Sequence, residues 1–203
     1  DYAQRHPIVQ CCEYVPELEQ PSVSIDNYAA AAETVRYLIA QGHRRVALLS
    51  AGNDFISTQL RRQGYEDVLH QAGLYCGDEL VAYADADYSY NSGLTAADAL
   101  LRLQPRPTAI CCVSDILALS VISRAHDLGL RVPEDLSVTG IDDVDYTTMF
   151  HPQLTTVAQP CYEMGQESLR ILLRMLRGGQ PPRTRTFLPY KLVLRESVAA
   201  HNE

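Results

Sequence analysis

Short apolar runs alternate with amphipathic stretches along most of this chain. After Ser22-Val-Ser-Ile-Asp26, apolar residues at Tyr28, Ala31, Ala32, Val35, Leu38 and Ile39 keep the three- and four-residue spacing of one buried helix face, which predicts a helix over about 27–41. Asp26 or Asn27 can cap its start and Gly42 can end it. A strand over 46–50, a helix over 57–72 stopped by Gly73, a short strand over 81–83 and a helix over about 91–103 follow. The strand 109–113, the helix 116–128 and the strand 136–141 continue the series. Such alternation predicts an α/β fold: parallel strands joined by right-handed crossovers, with helices on both sheet faces.

Beyond Asp142 the pattern changes. A strand over 154–157 leads into a long helix over 161–176, with Gly178-Gly179 as its stop. Pro181-Pro182 opens a loop, and short strands are expected over 184–188 and 191–194. Gln20-Pro21, Gln159-Pro160 and the segment near Pro189 are places for the chain to pass between lobes. The first apolar run, about 8–14, reads as a strand with no helix before it. With Asp1 rather than Met at its start, the chain is expected to be a piece of a longer protein.

Composition narrows the class. The 203 residues are 46% hydrophobic and 21% charged, enough to build a core and to exclude general disorder. No run approaches the ~20 apolar residues of a membrane-spanning helix. Lys+Arg 17 against Asp+Glu 25 leaves a net charge of -8, which argues against this segment itself gripping nucleic acid. The six cysteines form neither a C-x-x-C pattern nor a regular ladder. Cys11-Cys12 and Cys111-Cys112 lie in apolar runs, so buried free thiols in a reducing, cytoplasmic compartment are expected.

Ligands of parallel α/β sheets bind beyond the carboxyl ends of the strands. Polar residues stand at four such ends: the run from Ser50 to Thr58 leading to Arg61, Tyr88-Ser-Tyr-Asn, Ser114-Asp115, and Gly140-Ile-Asp142-Asp143. Each also has a plainer reading: Asp115 as a helix N-cap, Arg61 as a solvated neighbour of Arg62, Tyr88 as an edge aromatic. Asp142, Asp143 and Asp145 lack the spacing of a calcium loop, and the scattered histidines read as surface or turn residues, so no metal is expected. No nucleophile elbow, P-loop or dinucleotide fingerprint occurs, so neither a catalytic residue nor a cofactor is expected. An arginine, carboxylates and an aromatic face suit a sugar or a nucleoside.

The order of motifs resembles the LacI/GalR family of bacterial transcription regulators. The resemblance is carried by Gly42-His43-Arg-Arg-Val-Ala, Arg61-Arg-Gln-Gly64-Tyr65, Arg106-Pro107-Thr108 and Ser114-Asp115-Ile-Leu-Ala118. Gly129-Leu-Arg-Val-Pro133, Gly140-Ile-Asp142-Asp143, Pro152-Gln-Leu154-Thr-Thr-Val-Ala-Gln159-Pro160 and Leu194-Arg195-Glu-Ser197 complete it across nearly the whole chain. Glu13-Tyr-Val-Pro16, Tyr88-Ser-Tyr, Cys112-Val-Ser-Asp115 and Cys161-Tyr162-Glu163 are similar to members that sense cytidine.

The resemblance implies a periplasmic-binding-protein-like fold of two parallel-sheet lobes hinged around one ligand. The first lobe would be incomplete here, built from 1–26 and 160–187, and the second from 27–159 and 188–203. A DNA-binding headpiece would lie outside this chain and carry the contact with operator DNA. The ligand site would comprise Phe55, Ser57 and Arg61, with Tyr88 stacking on the effector and Asp115 and Asp142 binding its hydroxyls. The implied partners are a cytidine-like nucleoside or sugar and a second copy in a homodimer, with no membrane. The implied function is a repressor's ligand switch. A transport-type sugar-binding protein, or a sugar- or nucleotide-processing enzyme using Asp115 and Asp142 as acid and base, are the alternatives.

Overall fold

In the computed structural model, which describes residues 6–180 and 185–201, the alternation folds into two sheets. The chain runs β1 (Gln10–Cys11), β2 (Ser22–Ser24), α1 (Asn27–Ala40), β3 (Val46–Ala51), α2 (Ile56–Gln71), β4 (Val81–Ala84) and α3 (Tyr90–Leu101). It continues β5 (Ala109–Cys112), α4 (Asp115–Asp127), β6 (Ser137–Asp142), α5 (Tyr146–Met149), β7 (Thr155–Ala158), α6 (Cys161–Leu176), β8 (Arg185–Phe187) and β9 (Lys191–Val193). Pro181-Pro182 and Thr184, part of the expected loop and strand, lie outside the described residues.

The larger sheet has the order β4-β3-β5-β6-β7-β9, parallel throughout except for β9, which runs antiparallel to β7. The smaller one, β1-β2-β8, is parallel. The chain leaves the small sheet after β2, returns through α6 after β7, and leaves again after β8. These are the two lobes of a periplasmic-binding-protein-like fold.

The direction of winding makes the site. From β3 the chain moves outward to β4, then crosses back past β3 to β5. With right-handed crossovers on both sides, α2 and α4 lie on opposite faces, and a crevice opens between the carboxyl ends of β3 and β5. Leu48 sits opposite Cys111 and Leu49 opposite Cys112, so the loops leaving these two strands start side by side.

Helix starts and stops follow local chemistry. Asp26 accepts the Ala29 amide at 2.9 Å and caps α1. Gly42 and Gly178, with φ of 93° and 80°, end α1 and α6 where the stops were expected. Val35, Leu38, Tyr65, Leu69, Leu100, Leu117 and Val121 close over the larger sheet in one core. A second cluster, Val23, Ile25, Ile141, Val157, Met164 and Ile171, ties the small sheet to β6, β7 and α6.

Several expectations fail here. The run 8–14 yields only the two-residue edge strand β1, and Cys11, Cys12 and Cys161 are exposed; Cys111 and Cys112 alone are fully buried thiols. Cys12 adopts φ 68°, which turns the chain out of the strand and brings the Cys11 and Cys12 sulfurs to 3.9 Å on one side. His43 follows the turn that ends α1, as one of the two readings had it, but it is not at the surface. It is 2% exposed, beside Thr108 Oγ1 at 2.9 Å and the Ala199 carbonyl at 3.2 Å, and burial pushes its pKa down to about 4.

Candidate functional site

Arg61 is the centre of the crevice. Its position on α2, four residues before Tyr65 and seven before Val68, puts it on the helix face turned to the core, and it is 7% exposed. Nε donates to Asn27 Oδ1 at 2.8 Å and Nη1 to the Val113 carbonyl at 2.6 Å. One guanidinium thus joins the start of α1, the end of β5 and α2, which a planar fork does better than an ammonium. The reading of Arg61 as a solvated neighbour of Arg62 is overturned.

Two carboxylates feel that charge. Burial pushes the Asp142 carboxyl above the usual range, opposed by Arg61 and by the hydrogen bond from Gln159 Nε2 to Asp142 Oδ1 at 2.6 Å. Burial also raises Glu13, from the loop after β1, against the Ser57 amide and Arg61. Glu13 reaches across from the other lobe to accept both the Ser57 amide at 3.3 Å and the Ser57 hydroxyl. Glu13, Asn27 and Gln159 were not among the expected site residues.

Phe55 and Tyr88 form the aromatic wall. Their ring centroids lie 6.4 Å apart with planes 26° from parallel, and the Tyr88 hydroxyl meets Thr58 Oγ1 at 2.5 Å. Phe55 is exposed beside a cavity of about 370 Å³ lined also by Glu13, Tyr14, Asp54 and Ile56.

Asp115 lies beneath the turn that follows β6. It is fully buried, with Oδ2 accepting the Val144 amide at 3.0 Å and Oδ1 the Thr156 hydroxyl at 2.5 Å. Burial lifts its pKa to about 6 despite these bonds. It is the first residue of α4; the N-cap is Ser114, whose hydroxyl accepts the Leu117 amide at 3.4 Å. Only glycine fits opposite: a Cβ on Gly140 would lie 2.3 Å from Asp115 Oδ1. The carboxylate therefore braces the Asp142–Val144 turn.

Backbone strain gathers in the same place. Among the described residues, the non-glycine positions with positive φ are Cys12 (68°), Tyr88 (57°), Asp142 (131°) and Asp143 (60°). Asp142 is the last residue of β6 and the other three lie in the loops leaving the carboxyl ends of β1, β4 and β6, where strained positions at ligand sites are often found. Asp143 is held from behind by Arg195 Nη2 at 2.6 Å. Among the described residues no group of His, Cys, Asp or Glu is arranged to hold a metal ion, and no helix is long and apolar enough to cross a membrane.

Two α/β lobes with a polar crevice walled by aromatics define a small-molecule-binding domain of the periplasmic-binding-protein type. The model of the periplasmic binding protein-like domain matches residues 35–198. The HTH-type transcriptional repressor CytR of Escherichia coli (strain K12) is 38% identical over 194 residues, 96% of this chain and 56% of that protein. A putative transcriptional regulator LacI from Bacillus cereus subsp. cytotoxis is 30% identical with a TM-score of 0.91, covering 99% of this chain and 71% of that one. A complex of the transcriptional regulator CelR with cellobiose is 34% identical with a TM-score of 0.84, covering 93% and 57%. The chain belongs to the LacI/GalR family of transcriptional regulators, as its effector-binding region. It spans a little over half the length of the curated relatives it matches. Those relatives are regulators and not enzymes.

Proposed function

We propose that this chain senses a cytidine-like nucleoside or a sugar for a cytoplasmic repressor that binds operator DNA through a helix-turn-helix headpiece. The observation that carries this reading is Arg61, buried at the crevice between β3 and β5 with Asp142 beside it. The effector would lie against Phe55 and Tyr88, with its hydroxyls on Ser57, Arg61 and Asp142. Asp115, whose oxygens are already engaged, would position the Asp142 turn instead of touching ligand. Residues 1–26 and 160–187 would form the part of the first lobe present here, and 27–159 and 188–203 the second. Effector binding would shift the angle between them through its differential affinity for the two arrangements. Such coupling, typically about 1–3 kcal/mol, changes operator affinity about 5- to 150-fold.

The test is calorimetric titration of the intact regulator with cytidine, adenosine, uridine and ribose, followed by operator titration with and without the ligand that binds. Selective binding that alters operator affinity supports the switch. Binding with no change in operator affinity refutes it, and absence of binding by any of the four refutes the nucleoside and ribose assignment.

A homodimer is part of this reading. A groove of about 760 Å³ on the larger lobe is lined by Tyr90, Leu119, Ile122, Leu130, Tyr146 and Phe150. Phe150 in its wall is 64% exposed and the adjacent Met149 59%, and exposed large apolar side chains beside a groove suit a protein contact. Phe150→Asp is expected to weaken self-association about 100-fold in sedimentation velocity without lowering the unfolding midpoint. An unchanged dimer would place the contact elsewhere.

A further inference from the structure

Glu13 belongs to the small-sheet lobe, yet its carboxylate closes the first turn of α2 in the other lobe. It accepts the Ser57 amide and hydroxyl there. The helix has no cap of its own, because Phe55 at that position offers no side-chain acceptor. Free first-turn amides attract anions. Here the protein's own anion has taken the place.

The surroundings add to this. Asp142 shares the Arg61 charge with Glu13, and Asp54 lines the same cavity as Glu13. Arg61 has Nε and Nη1 committed to Asn27 and Val113. A phosphate monoester entering with a charge of about −1.5 to −2 would meet carboxylates, its anchoring amides filled. An uncharged effector meets no such repulsion and needs none of those amides.

Resting on the effector-cleft reading above, we infer that Glu13 is a specificity-determining residue: it admits an unphosphorylated effector and rejects the phosphate ester of the same compound. It does so by occupying the anion position at the start of α2 and by repelling a second anion. Because the same carboxylate joins the small-sheet lobe to α2, selection against phosphate is made where the two lobes meet.

The experiment titrates the intact regulator, wild type and Glu13→Gln, with cytidine and cytidine 5′-monophosphate, and with ribose and ribose 5-phosphate. Wild type is expected to bind the unphosphorylated member of a pair at least about 100-fold more tightly, and Glu13→Gln to reduce that ratio to about 10-fold or less. The gain should come from the phosphate ester, with affinity for the unphosphorylated compound changing about threefold at most. Glu19→Gln removes a charge from an exposed position of the same segment and is expected to leave the ratio unchanged. Glu13→Ala reads the same ratio if Glu13→Gln unfolds. Equal wild-type affinity for both members, or a ratio untouched in the Glu13 variants, overturns the inference while leaving the effector cleft standing. Binding of none of the four compounds, nor of adenosine or uridine, overturns both.

Discussion

Arg61→Ala is expected to lower the unfolding free energy by about 3–5 kcal/mol and to abolish effector binding. The substitution strands the Asn27 side-chain oxygen and the Val113 carbonyl, each buried against a guanidinium that no water can replace without opening the crevice. It also takes away the cation that opposes the burial-driven rise of the Glu13 and Asp142 carboxyls. Arg61→Lys keeps the charge but not the fork, so it should recover about half the lost stability while binding stays weak. Urea unfolding of both variants, with titration under conditions where each is folded, separates the two effects. A loss below about 1 kcal/mol for Arg61→Ala would mean that the three-way junction does not hold the crevice together.

The second large effect lies in the dependence of stability on pH. Asp115 is protonated more readily folded than unfolded, with its pKa raised from 3.8 to about 6. The folded state therefore carries an extra proton between these values, and stability falls as pH rises through that window. His43 does the reverse. Its pKa is lowered from 6.5 to about 4, chiefly by burial and then by the nearby His201, so on acidification the unfolded state takes up the proton first. Stability from this residue is lost as pH drops from about 6.5 to 4. Each contributes on the order of 3 kcal/mol, and the two windows overlap with opposite sign.

In the wild type these slopes should nearly cancel. Asp115→Asn is expected to leave the His43 slope exposed, so that stability falls on acidification by about 3 kcal/mol more than in wild type. His43→Asn should leave the Asp115 slope, a shift of similar size in the opposite direction. Denaturant unfolding at pH steps from 4 to 7 measures both. Parallel curves for all three proteins would show that neither group titrates differently on folding.

Much of this fold was legible because apolar spacing is a local signal. α1, α2, α4 and α6 begin and end within a residue or two of their expected bounds, and the strands β3 to β7 follow the same series. The helix α5 was not legible: Tyr146-Thr-Thr-Met149 is one turn long and has no period to read. The first strand was overestimated because an apolar run carries no information about how many neighbours will pair with it. At the edge of a small sheet, only Gln10 and Cys11 find partners.

The site divides in the same way. Arg61 could have been placed inside from its spacing with Gly64, Tyr65 and Val68 on the buried face of α2. Glu13 could not, because its partner Ser57 is 44 residues away and in the other lobe. Nothing in the neighbourhood of a lone glutamate in a loop indicates that it will cap a distant helix. The fate of Asp115 was equally hidden, since it depends on Thr156, Val144 and the missing side chain of Gly140.

The passage of the chain three times between the sheets has a mechanical consequence. The three crossings, near Ile25, Gln159 and Leu188, are not independent tethers: the Leu188 amide bonds the Ser24 carbonyl at 2.9 Å, Ile25, Leu188 and Tyr190 pack in one cluster, and Ala158, next to Gln159, pairs with Lys191. Crossings tied to one another in this way are expected to move together and not one at a time. Any change of angle that an effector imposed on the crevice would then pass to the rest of the molecule through one joint instead of three.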